Sequence, residues 1–235
     1  MKKFLSIALA LLMVCVMLPV VALAAEKTAS TYEELKSAIS TANDGDTIKL
    51  LADIDLSQTI TVNKTITLNM NGKKLYNTSD LWDKPTAEAN NWSLISVRGS
   101  GNLTITGNGT FAAKENDCYA VDVQESATVT IKNGTFIGNI HAVYVFAGTA
   151  NVEGGTYSVQ QKYPDSAKGD EFVLNCYDAN RANGTARINV TGGTFKNFNP
   201  ADNKAEGEGN NFADNSLVVQ KNNTVQNNDY YVGNA

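Results

Sequence analysis

Short runs in which apolar and polar residues alternate recur along most of the chain, and four of them end in the same way. Each ends in Gly or Asn, then Gly, Thr and an aromatic residue. The four copies are Leu103–Phe111, Val129–Phe136, Asn151–Tyr157 and Ile188–Phe195, with their aromatic residues 25, 21 and 38 positions apart. Repetition at roughly 20–30 residues is typical of solenoids, whose repeats stack because one repeat cannot bury its apolar face alone. The pattern therefore predicts an all-β solenoid.

A second apolar run precedes each copy: Leu94–Val97, Ala120–Val123, Ala142–Val145 and Val173–Cys176. The apolar run, the Thr-rich run after it and the Gly-Thr-aromatic segment together predict three short strands per coil. Because side chains alternate between the two faces of a strand, we expect a stacked inward ladder of Ile95/Val97, Val121/Val123, Val143/Val145 and Leu174/Cys176. Asn-Gly pairs such as Asn71-Gly72 also permit hairpins and an antiparallel meander. Stacked coils are favoured, because a meander does not require one phrase to recur. The glycine before each Thr is expected to turn a corner with positive φ.

The two ends of the repeat have different patterns. Residues 30–42 predict a short amphipathic helix, with a capping box at its start, that covers the first coil. Coils are expected over about 47–198, interrupted by insertions at 77–92 and 160–171 that bulge outward. Residues 199–235 predict a polar loop and a cap, in which Ser216–Gln220 and Tyr230–Val232 form a last coil or a hairpin.

The first residues have the pattern of an export signal rather than of a fold. Two lysines precede an apolar run, and Ala22-Leu23-Ala24 fits a cleavage site, so residues 1–24 are interpreted as a signal peptide and 25–235 as one secreted or cell-surface domain. The same run is long enough to cross a membrane, but Pro19 and the Ala-x-Ala ending favour cleavage, and no later segment predicts a membrane span. Removing Lys2 and Lys3 takes the net charge from −5 to −7, which argues against nucleic acid and anionic membranes as partners. Whether Cys118 and Cys176 pair is left open, as is the oligomeric state.

Three segments resemble a known family. They are Asn43–Ile54, Lys64–Leu75 and Gly193–Pro200, taken together with the repeated Gly-Thr-aromatic corners. They are similar to segments of the right-handed parallel β-helix proteins of the pectate-lyase-like superfamily, in a small secreted bacterial form. The resemblance implies the fold. It does not imply one activity, because that superfamily includes polysaccharide lyases and hydrolases, phage tailspikes and adhesins.

Catalytic chemistry has weak support in the sequence. The acidic residues Asp53/Asp55, Glu115/Asp117, Asp122 and Asp170/Glu171 are scattered and are interpreted as solvated surface charge. The Asn-Thr-Asp, Asp-Asp and Gly-His-Gly segments shared by hydrolases of this family are absent, so no paired carboxylates for acid/base catalysis are found. His141 is the single histidine, which excludes a multi-histidine metal site. We predict no catalytic residue, metal or cofactor, and whether the protein is an enzyme stays open.

A flat binding face is the remaining functional candidate. The outward positions of the second run are Ser96/Arg98, Asp122/Gln124, Tyr144/Phe146 and Asn175/Tyr177, and Trp82 and Trp92 of the first insertion are placed to overhang them. Aromatic rings beside hydrogen-bonding groups suit a sugar ring. The predicted ligand-binding residues are Arg98, Asp122, Tyr144, Phe146, Asn175, Tyr177, Trp82 and Trp92. The favoured function is non-catalytic binding of extracellular or cell-surface glycan. The alternatives are a lyase or hydrolase, and a structural or adhesive module with a protein partner. The alternative to a binding role for the aromatic residues is that the insertions cover them and they only pack the insertions down.

Overall fold

A computed structural model describes residues 23–82, 92–162, 172–202, 211–224 and 227–233. The proposed signal peptide lies almost entirely outside these ranges, as do the central parts of the two insertions. The described chain is almost all β-structure, in three sheets whose strands are mostly parallel.

One sheet has seven parallel strands that include the Thr-rich runs. In the order in which they stack, its strands are β1 (Glu26–Ala29), β2 (Thr47–Leu50), β5 (Thr65–Asn69), β8 (Asn102–Thr106), β11 (Thr128–Ile131), β14 (Gly148–Val152) and β17 (Ala186–Val190). Inward Ile, Leu and Val alternate with outward Thr, Asn and charged residues, because one face is core and the other meets water.

The second apolar runs form a five-stranded parallel sheet, and the Gly-Thr-aromatic segments belong to an eight-stranded sheet. The five strands are β4 (Ile60–Val62), β7 (Ser93–Val97), β10 (Tyr119–Val123), β13 (Val143–Val145) and β16 (Leu174–Cys176). The eight-stranded sheet holds β3 (Ile54–Asp55), β6 (Lys74–Tyr76), β9 (Thr110–Ala112), β12 (Thr135–Gly138), β15 (Thr156–Val159), β18 (Gly193–Lys196), β19 (Val218–Thr224) and β20 (Asn227–Val232).

Consecutive strands from β2 to β18 fall in the three sheets in rotation, so the chain returns to the same sheet after every third strand. The predicted inward ladder is in register: Ile95 pairs with Val121, and the same column continues to Val143 and Leu174. All are completely buried. The expectation of stacked parallel strands is therefore confirmed, and a meander of hairpins is excluded for β2 to β18. The architecture is a solenoid-like β fold.

The repeated aromatic residues stack inside the eight-stranded sheet. Phe111, Phe136, Tyr157 and Phe195 are fully buried, with consecutive ring centroids 4.8, 5.2 and 5.0 Å apart. Register at strand spacing brings like rings into offset contact along the core.

The glycines before them meet two different needs. Those of the last three copies have positive φ, as predicted, at Gly134, Gly155 and Gly193. Gly109 does not. It is required by space, because a Cβ there would lie 2.4 Å from the Met70 Cβ atom.

Both ends of the solenoid carry additional elements. Helix α1 (Tyr32–Ser40) buries Leu35, Ala38 and Ile39 next to β1 and β2, and the Thr31 side chain accepts from the Glu34 N–H. At the other end, β19 and β20 form an antiparallel hairpin, and β20 extends the eight-stranded sheet by pairing antiparallel with β18. A second short helix, α2 (Asp178–Ala182), follows β16, and residues 215–217 form a 3-10 turn.

Candidate functional site

The predicted binding residues assemble on the outer face of the five-stranded sheet. Thr61, Ser96, Asp122, Tyr144 and Asn175 are neighbours in register across its five strands. A second row begins one position beyond the strand ends, where the N–H groups of Arg98, Gln124, Phe146 and Tyr177 each donate to the carbonyl of the preceding strand. The sequence pattern therefore placed six candidates on one face.

Much of this face is not open to solvent. Strands β7 and β10 are buried on both sides, and Ser96 and Asp122 have no exposed surface. The interpretation of Asp122 as a solvent-accessible surface carboxylate is therefore wrong. The same interpretation is wrong for Asp117, which is buried at 5 % exposure. Alternation along a strand determines which way a side chain points, but not whether another layer covers it.

Asp122 belongs to a connected polar network. Its carboxylate accepts from the Ser96 hydroxyl at 3.1 Å and from the Gln124 side-chain amide at 2.8 and 2.9 Å. Arg98 Nε in turn donates to Ser96 Oγ at 2.9 Å. Burial raises the pKa of Asp122 to about 6, against the opposing effects of these two hydrogen bonds and of the Arg98 charge. The network holds a single carboxylate, whereas glycosidic hydrolysis by the common route uses two.

Six planar side chains form an aromatic cluster beside the network. Its members are Trp82, Trp92, Tyr119, His141, Tyr144 and Phe172. Trp82 lies 5.7 Å from Trp92 and 5.3 Å from Tyr119, measured between ring centroids. The buried Asp117 fixes this end, because its carboxylate accepts from the backbone N–H groups of Leu81 and Trp82. The two tryptophans predicted to overhang the face therefore contact it through Tyr119.

His141 is a packed, neutral member of this cluster. Its ring stacks on Tyr144 at 5.0 Å, Nδ1 lies 2.8 Å from the Phe172 carbonyl, and Nε2 lies 3.5 Å from the Asn175 amide nitrogen. A carbonyl only accepts, so Nδ1 carries the proton and Nε2 faces the amide donor. Desolvation lowers the pKa of His141 to about 4. These contacts give His141 a structural role.

The most exposed aromatic pair of the face lies at its β13–β16 end. Phe146 and Tyr177 stack with ring centroids 4.9 Å apart and an interplanar angle of 25°. Tyr177 is 44 % exposed and Phe146 is partly exposed. The Asn180 side chain of α2 donates to the Phe146 carbonyl at 2.7 Å, which ties the helix to this corner. This pair offers an accessible apolar surface on a fixed backbone.

Sequence reasoning missed Tyr119 and Phe172 as members of the site. A signal was present, because Tyr119, His141 and Phe172 each stand two residues before the first inward residue of their strands. Planar residues at one position of successive repeats come into contact when the repeats stack.

Other chemical groups are sparse in the described part of the chain. No cluster of three or more His, Cys, Asp or Glu side chains suited to a metal ion is found among the described residues. Cys118 and Cys176 are both buried and are not joined by a disulfide. None of the described helices has the length and apolar character needed to span a bilayer.

Comparisons with protein-family models, with curated proteins and with solved structures find no match to this chain.

Proposed function

We propose that the chain is an exported, non-catalytic right-handed parallel β-helix, with three short strands per coil, that binds extracellular or cell-surface carbohydrate. The rotation of strands among three sheets supports the coil, and the Gly-Thr-aromatic corners support a place in the pectate-lyase-like superfamily. The pattern of residues 1–24 supports export.

The observation that carries carbohydrate binding is the exposed Phe146–Tyr177 stack. A sugar ring has an apolar face of C–H groups that packs on an aromatic ring, and hydroxyls that need donors and acceptors nearby. Arg98 and Gln124 continue the same row of the sheet at strand spacing. The ligand contacts are therefore assigned to Phe146 and Tyr177, with Arg98, two strands from Phe146 along the same row, as the polar contact.

The remaining candidates are assigned to support. Tyr144, Trp82 and Trp92 pack in the aromatic cluster, and Asn175 faces His141. The buried Asp122 network links β10 to β7 through Ser96, which also accepts from Arg98. A lyase or hydrolase has less support, because Asp122 is inaccessible and is the only carboxylate in its network.

The test is glycan-array binding by the mature protein and by Phe146→Ala/Tyr177→Ala. We expect binding to a defined set of glycans by the wild type and loss of that binding by the double variant. Tyr76→Ala, a partly exposed tyrosine of the eight-stranded sheet, is the matched control and should bind normally. Equal binding by the double variant would refute the assigned surface. Cleavage of uronate polymers by the mature protein would instead establish the enzymatic alternative.

A further inference from the structure

A groove runs along the last strand of the seven-stranded sheet, on a different sheet from the face proposed to bind carbohydrate and next to helix α2, which also contacts Phe146. It encloses about 440 Å³ between β17, the C-terminal end of α2 with the turn that follows it, and residues 211–212. The residues that line it include Arg181, Ala186, Arg187, Ile188 and Phe212. The strand therefore has β14 on one side and a cavity on the other.

The backbone of β17 directs hydrogen-bonding groups into this groove. The backbone carbonyl of Thr185 accepts from the Gly148 N–H, and the backbone N–H of Thr191 donates to the Val152 carbonyl. The peptide groups of the odd-numbered residues of β17 therefore point toward the rest of the sheet. Val190 N–H points the other way and donates to the Phe212 carbonyl at 2.8 Å. Peptide groups alternate in direction along a strand, so those of Ala186 and Ile188 also point into the groove.

The described chain pairs with this edge at one point. Val190 forms a single parallel bridge with Ala213, and within the described residues β17 has no other strand partner on this side. The bridge shows that another segment pairs in parallel with this edge at Val190. A buried or half-buried sheet edge without a partner leaves its amide groups unsatisfied, which favours the addition of an extended segment.

The charge of the groove selects the kind of segment. Among the described residues that line it, Arg181 and Arg187 are the charged ones, although the whole chain carries a net charge of −5. Arginine forms paired hydrogen bonds with carboxylates, and such charge-assisted bonds are stronger than neutral ones. A basic groove on an acidic protein fits an acidic peptide better than a second copy of the same acidic chain.

We propose that this groove binds an extended acidic peptide segment of a partner protein, which adds as a strand beside β17. Its backbone pairs with Ala186 and Ile188, continuing from the Val190–Ala213 bridge, and its carboxylates face Arg181 and Arg187. The inference does not depend on carbohydrate binding, which uses another sheet.

The test measures binding of a fluorescein-labelled peptide of alternating Val and Glu, seven residues long, to the full mature protein by fluorescence anisotropy. The comparison peptides replace Glu by Lys or carry backbone N-methyl groups on alternate residues. We expect both changes to weaken binding by at least about tenfold, because one removes the charge pairing and the other the strand pairing. Binding should also weaken as salt is raised.

Two variants test the assignment on the protein side. Arg181→Ala/Arg187→Ala should weaken binding by about tenfold or more. Lys49→Ala/Lys132→Ala removes the same charge from the same sheet outside the groove and should change it less than about twofold. Should the arginine variant not fold, the salt dependence and the Lys peptide measured on wild type decide the charge requirement.

Amide hydrogen exchange provides an independent readout. The Ile188 N–H should exchange rapidly in the free protein and slowly with peptide, while the Arg187 N–H, which faces β14, should be protected in both states. Slow exchange of Ile188 in the free protein would show that the chain itself fills the edge, and would overturn the proposal. Self-association that competes with the peptide would make a second copy the occupant, which also overturns it.

Discussion

Replacing Asp122 by Asn tests the buried polar network at the centre of the candidate face. The carboxylate has no exposed surface and is held by Ser96 and Gln124. Asn keeps the size and one carbonyl acceptor for Gln124 and removes the charge. The variant therefore separates the cost of a buried charge from the packing of the site.

The size of the expected change in unfolding free energy follows from the pKa of Asp122. Burial raises the pKa of Asp122 from its ordinary 3.8 to about 6 in the folded protein. At 1.36 kcal/mol per pH unit this corresponds to about 3 kcal/mol. The folded state binds the proton more tightly than the unfolded state, so stability declines as pH rises from about 4 through about 6. The Asn variant lacks this decline.

His141 contributes with the opposite sign over an overlapping range. Its pKa falls from 6.5 to about 4 on folding, so the unfolded state binds the proton more tightly and stability increases as pH rises from about 4 to 6.5. The wild-type profile alone hides both effects, because they oppose each other. The informative quantity is the difference in unfolding free energy between Asp122→Asn and wild type.

The assay is urea denaturation of both proteins at intervals from pH 3.5 to 8. We expect the variant to gain about 3 kcal/mol relative to wild type between the low and high ends of this range. Glu115→Gln, which neutralises an exposed carboxylate, should produce a much flatter difference. A flat difference curve for Asp122→Asn would refute the buried, charged Asp122 on which this reasoning rests.

Three further predictions test burial, backbone approach and stacking. The NMR signal of His141, the only histidine, should titrate near pH 4, and a midpoint near 6.5 would show that its ring is hydrated. Gly138→Ala should destabilise the fold by about 3 kcal/mol or prevent folding, because the new Cβ would lie 1.6 Å from the His141 carbonyl oxygen; Gly233→Ala, with no atom within 4 Å, should leave the melting temperature unchanged. Phe136→Ala should cost about 3–5 kcal/mol in chemical denaturation, since it breaks the buried stack between Phe111 and Tyr157; the outward-facing Ile137→Ala should cost less, and equal losses would contradict the stacking argument.

The positions of the repeated core residues could be predicted from the sequence, because stacking gives them equivalent places in successive coils. The columns Ile95–Val121–Val143–Leu174 and Phe111–Phe136–Tyr157–Phe195 lie in the register that the sequence alignment predicted. The strand β1 was missed, because Glu26–Ala29 has no apolar alternation and forms through its pairing with β2. Its backbone hydrogen bonds depend on the neighbouring strand and not on its own side chains.

The candidate face shows a different limit. Period-two alternation predicted that the side chains of Asp122, Tyr144 and Asn175 point outward. The alternation did not predict whether each side chain is open to ligand. In the structure Asp122 is buried and Tyr177 is exposed, although both lie on the same face. Alternation is a local property of the backbone, whereas exposure depends on residues distant in sequence, such as Trp82 against Tyr119.

The sequence by itself determined the all-β repeat, the strand register and the corner positions, because each coil must match the coil below it. The tertiary structure alone decided that Asp122 is buried, that His141 is neutral, and that the last strand of the seven-stranded sheet lies beside a basic groove. Those properties arise from the desolvation and electrostatics of groups brought together across separate coils, which no single repeat encodes.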